Sequence, residues 1–131
     1  MTIEHHVTPD GMAPGNGYSH AVVAEGGRVL AIAGQVAMDE SGELVGENDP
    51  TAQAERVYQN LSLALAAAGA TFADVIKLNN FVTDISILPA LRAVRDRYID
   101  IGSPPASTAV EVRALFRPGY VIEVEALAVL P

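Results

Sequence analysis

Cysteine is absent from all 131 residues, which excludes disulfides, thiol nucleophiles and thiolate-bound metals together. Positive charge is scarce: eight Lys and Arg stand against sixteen Asp and Glu, a formal net charge of −8. The cations are scattered, apart from Arg92, Arg95 and Arg97, which share one helical stretch with Asp96. Without a basic stripe such a surface repels phosphate backbones, so nucleic acid is disfavoured as a partner. Long apolar runs are missing too, and no stretch approaches the roughly 18 residues needed to span a bilayer. Met1 to His6 lacks the cationic start and apolar run of a signal peptide, so a cytoplasmic protein without a membrane partner is expected. No repeat, low-complexity tract or break in composition divides the chain, and 1–131 reads as a single domain. Half of its residues are hydrophobic, enough for a real core.

The pattern of those residues gives an α/β class. The Gly- and Pro-rich start, 1–16, reads as loop or edge strand. A short strand from His20 to Glu25 leads through Gly26-Gly27 into Arg28–Gln35, whose Val29 to Ala33 are apolar on both alternating faces. Asp39-Glu40-Ser41-Gly42 makes a turn. Asn48 or Asp49 can cap a helix opening at Pro50, with Ala54, Val57, Leu61, Leu65 and Ala68 inward and Gly69 as its stop. Residues 74–84 form a strand, and Ser86 can cap a second helix with Leu88, Leu91, Val94 and Tyr98 inward.

Two last strands, about 107–115 and 120–129, are expected to pair as a hairpin across Arg117-Pro118-Gly119. Opposing Ala114 with Ile122, Val112 with Val124 and Val110 with Ala126 gathers the aliphatic residues on one face. Arg113 then faces Glu123, Glu111 faces Glu125, and Ser107 lies further along the same side. Two helices cover only one face of the resulting mixed sheet of about six strands. The apolar residues of the other face call for cover, and a second copy of the chain is the economical source.

Glu123 and Glu125 share a face, and paired carboxylates can do acid/base work. They can equally be salt-bridged surface residues. His5, His6 and His20 offer no convergent ligand set, so no metal is expected. Gly34 ends a buried strand, where glycine permits close backbone approach or simply serves tight packing or a bulge.

Several stretches resemble the YjgF/RidA (Rid) family: Ala33-Gly34-Gln35-Val36, Ser41-Gly42-Glu43, Ala67-Ala68-Gly69, Asp74–Lys77 to Phe81-Val82-Thr83-Asp84, Pro105–Val112 and Ile122–Ala126. The resemblance runs from about Gly17 to Val129. It implies a chorismate-mutase-like fold and a homotrimer with a small-molecule cleft at each interface. It also implies hydrolysis of enamines and imines to keto acids and ammonia, with no metal or organic cofactor. In that family a glutamate handles the attacking water and a strand-end glycine holds the substrate by its backbone. A tyrosine walls the pocket, and an arginine grips the substrate carboxylate bidentately. By position these are Glu123, Gly34 and Tyr18, but the arginine is replaced by Ser107.

Serine supplies no positive fork, and the lost charge-assisted pair is worth roughly 1.5–3 kcal/mol. Three outcomes stay open. Arg113, Arg92 or Arg95 takes over; Arg113 is committed to Glu123; or the pocket takes an uncharged ligand. The leading expectation is a small-molecule hydrolase with Glu123 as acid/base. The alternative is a non-catalytic ligand-binding or regulatory trimer. The family's ribonuclease label fits poorly with a net charge of −8 and no basic or aromatic stacking track.

Overall fold

Apolar alternation and helical spacing resolve into six strands and two α-helices in the computed structural model, which describes residues 1–131. In chain order these are β1 (Thr2–His6), β2 (Ala21–Glu25), β3 (Arg28–Gln35), α1 (Pro50–Ala67), β4 (Val75–Val82), α2 (Leu88–Arg95), β5 (Ala106–Glu111) and β6 (Ile122–Leu130). Four strands form a mixed sheet in the order β3-β6-β4-β5, and β1 and β2 pair as a separate antiparallel ribbon. Only β4 and β5 run parallel, and α2 makes the crossover that parallel neighbours require. No helix is long and apolar enough to cross a membrane.

Of the two candidate caps for α1, Asp49 does the work: its side chain accepts the Ala52 N–H at 3.1 Å. Gly69, at φ +74°, supplies the left-handed residue that ends the helix. Ser86 does not cap α2. A 3-10 turn, Ile85–Ile87, precedes that helix, and Asp84 caps the turn by accepting the Ser86 N–H. Both helices pack on one face of the sheet. There Val57, Leu61 and Leu65 of α1 and Leu91 and Val94 of α2 meet Leu78, Val82, Ile122 and Val124, all but sealed from water.

The hairpin register is overturned. β4 lies between β5 and β6, so the last two strands never touch. β5 pairs instead with β4, Ser107 beside Leu78 and Ala109 beside Asn80. Its parity relative to β6 is therefore opposite to that expected: Ser107 shares the helix face with Leu78, while Val110 sits beside Phe81 on the other side. The cause is physical. Val110 is apolar because it belongs to the sheet's second apolar face, and alternation alone does not tell one apolar face from the other. That face is left open at Val29, 71% exposed, and at Val110 and Leu127, at 40% and 36%, although Val129 beside Val29 is buried.

Candidate functional site

The bare face holds one half of the candidate site. Ile32 pairs with Ala126 and Gln35 with Val124, so β3 carries one extra residue there, a β-bulge at Ala33-Gly34. Gln35 Nε2 braces the bulge by donating to the Ala33 carbonyl at 3.0 Å. The bulge sets the Gly34 backbone against Glu123 of the neighbouring strand. A Cβ at Gly34 would lie 2.5 Å from Glu123 Oε2, so only glycine leaves the carboxylate where it stands. Gly34 and Glu123 line a cavity of about 550 Å³ with Gln35, Met38, Arg56, Asn60 and Phe116. Glu125, next on this face, is occupied by Asn79, whose Nδ2 donates to it at 3.1 Å.

The other half opens on the helix side, near the β5 edge. Tyr18, Ser107, Arg92 and Arg95 line a cavity of about 220 Å³ together with Asn16 and Asn80. Tyr18 arrives there because the preceding segment is tied down. Ser19 N–H donates to the Pro105 carbonyl, Ser19 Oγ to that of Pro104, and the Tyr18 ring meets His20 edge to face at 5.4 Å. Asn80 Nδ2 donates to Ser107 Oγ at 3.0 Å and to the Thr108 carbonyl at 3.0 Å, fixing the serine. Arg95 is buried and ion-paired with Asp96. Gly17, at φ +72°, passes so close to that guanidinium that a side chain there would collide with it.

Within one chain, then, Glu123 and Gly34 come together, as do Tyr18 and Ser107, but the two pairs lie on opposite sides of the sheet. Arg113 joins neither. β5 ends at Glu111, so the strand parity that would have aligned Arg113 with Ser107 does not extend to it, and it is exposed in the following loop. Phe81, not Arg113, stands opposite Glu123. Glu111 does not face Glu125 and instead accepts the Ile85 N–H at 2.9 Å. The histidines are dispersed: His5 meets the Pro104 carbonyl, His20 that of Ala13, and His6 pairs with Glu4. No three carboxylates or imidazoles converge.

Sequence reasoning missed the polar residues of α1. Gln53 is fully buried and ties two loops together, donating to the Gly46 and Gly119 carbonyls and accepting the Val121 N–H. Asn60 donates to the carbonyls of Val36 and Met38, and Arg56 Nε also reaches Met38, which shapes the Glu123 cavity wall. The available signal was polar side chains beside the apolar stripe, Gln53 next to Ala54 and Asn60 next to Leu61. Tyr58 was missed as well. Its hydroxyl is buried without a hydrogen-bond partner, and burial pushes its pKa well above the ordinary value, Arg95 opposing and Asp96 adding to the shift.

The family profile described as Endoribonuclease L-PSP matches residues 8–130. Protein DfrA of Myxococcus xanthus is 38% identical over 112 residues, 86% of this chain and 84% of that protein. A 2-iminobutanoate/2-iminopropanoate deaminase of Capra hircus is 37% identical over 113 residues, covering 86% of this chain and 79% of the deaminase. The crystal structure of the Rid-family protein YyfB of Yersinia pestis superposes with a TM-score of 0.90 at 40% identity, over 99% of this chain and all of that one.

Proposed function

This chain belongs to the YjgF/RidA family, and from that premise we propose that it hydrolyses a small enamine or imine in clefts between the subunits of a homotrimer. One observation carries the reading: the split of the site across the sheet. Glu123 and Gly34 open on the bare face, Tyr18 and Ser107 on the helix side at the β5 edge. A cleft that holds all four sets the bare face of one copy against the edge of the next. Such a contact is head-to-tail and closes into a ring, which also covers Val29, Val110 and Leu127. Deaminases of imino acids among its relatives support the same chemistry.

In that cleft Glu123 accepts a proton from water as the water oxygen bonds to the C=N carbon. The nitrogen receives that proton to give a carbinolamine. The carbinolamine hydroxyl then passes its own proton through Glu123 to the amino nitrogen, the C–N bond breaks, and ammonia leaves as the carbonyl forms. Imine and water become carbonyl and ammonia, with nothing else consumed. The Gly34 backbone holds the substrate beside the carboxylate, and Tyr18 forms a wall. Position 107 offers a hydroxyl and no charge, so the family's usual grip on a 2-imino acid does not come from there. RNA cleavage is not part of the proposal, because a chain of net charge −8 repels phosphate backbones.

The test is keto-acid formation from an imino acid generated in situ by an amino-acid oxidase. Wild type accelerates it above the buffer rate, and Glu123→Gln removes about 10²- to 10⁴-fold of that acceleration while still binding ligand. A ligand-binding trimer without chemistry would show no turnover before or after the change.

A further inference from the structure

The eight cations of this chain are nearly all engaged. Arg28 and Arg56 donate to backbone carbonyls, Lys77 to Thr108, Arg95 and Arg97 pair with Asp96 and Glu55, and Arg117 lies over the Phe116 ring. Arg113 is free but exposed in a loop. Arg92 is the half-buried cation without a partner, and it lines the cavity that Ser107 and Tyr18 share. A guanidinium partly removed from water calls for a counter-charge.

The lining of that cavity supplies none. It contains no Asp or Glu, in a chain with sixteen of them. The Arg95 charge is already answered by Asp96, which leaves one uncompensated positive charge, that of Arg92. Ser107 Oγ accepts from Asn80, so its own O–H remains to donate into the cavity. At about 220 Å³ the space suits a ligand of a few heavy atoms.

We propose that Arg92, on α2, is the carboxylate anchor of this chain, gripping a small monoanionic ligand beside the Ser107 hydroxyl. The cavity's size and the absence of any acidic lining residue select a small anion over a neutral or cationic ligand. The inference rests on the hydrolase reading only for the fate of the ligand once it is held.

The probes are pyruvate and its neutral isostere pyruvamide, titrated calorimetrically into the intact protein. Wild type binds pyruvate the more tightly. Arg92→Gln weakens pyruvate about 10- to 100-fold and leaves pyruvamide unchanged, as loss of a charge-assisted pair requires. Adding Ser107→Arg to Arg92→Gln restores the preference. Equal affinity of wild type for the two probes overturns the proposal, as does a pyruvate preference that survives Arg92→Gln. The two readings fail separately. Arg92-dependent pyruvate binding without imine turnover removes the hydrolase and keeps the anchor, whereas Glu123-dependent turnover of imino acids at full rate in Arg92→Gln does the reverse.

Discussion

Both faces of the four-stranded sheet carry aliphatic side chains, the bare one interspersed with Lys77, Asn79, Glu123 and Glu125, and those side chains end in different states. On one, Leu78 is sealed beneath the helices, whereas on the other Leu127, in the next strand, is 36% exposed and Val29 is 71% exposed. Each face also carries half of a polar site, Ser107 with Tyr18 on the covered side and Glu123 with Gly34 on the bare one. The contrast teaches that an apolar face is not the same thing as a core. The covered face is completed by the chain's own helices, and on our reading the bare face is completed by another copy.

Substitution of the two leucines separates these roles. Leu78→Ala should cost about 2–5 kcal/mol at any protein concentration, because it leaves a cavity in a closed core. Leu127→Glu should leave the isolated subunit folded but abolish assembly. Sedimentation velocity would follow the assembly, and the melting temperature of the variant would no longer rise with protein concentration, as a linked oligomer requires. A Leu127→Glu protein that still sediments as a trimer would place the interface elsewhere.

Gly34→Ala sharpens the comparison on the bare side. The added methyl must push the Glu123 carboxylate aside, and a displacement of about 1 Å can cost roughly 100-fold in rate. Circular dichroism should be unchanged while kcat/KM falls. The smallest effect lies under the covered face. Tyr58 has a folded-state pKa raised above its ordinary value of 10.0, so the folded state holds this proton longer than the unfolded one. Its contribution to stability is complete below pH 10 and is lost as pH rises beyond it, by up to about 1.4 kcal/mol per pH unit. Urea melts between pH 9 and 11 should therefore fall less steeply for Tyr58→Phe. At neutral pH that variant should be no less stable, since the hydroxyl it removes has no partner.

Much of the fold was legible because it is local. Asp49, Pro50 and Gly69 mark α1, and the apolar spacing from Ala54 to Leu65 names its buried side. Gly34 and Glu123 were singled out separately, and the bulge then joined them. Strand partnership was not legible. The sequence of 106–112 carries an alternation but not the identity of its neighbour, and the crossover through α2 puts β4 where β6 was expected. Arg113 was misplaced for a related reason, since nothing in the alternation marks the end of β5 at Glu111. Arg92 was visible as one of several arginines on a helix. Its lack of a partner became clear only when Arg95 and Arg97 were seen to be paired.

The central claim is that each cleft takes Glu123 from one subunit and the Arg92–Ser107 wall from its neighbour, and complementation tests it directly. Glu123→Gln and Arg92→Glu are each expected to be inactive in keto-acid formation. Refolded together in equal amounts, they should form mixed trimers in which about a quarter of the clefts join two intact halves, with that fraction of the wild-type rate. A mixture no more active than its two parents would mean that no cleft is shared between subunits, contradicting the account.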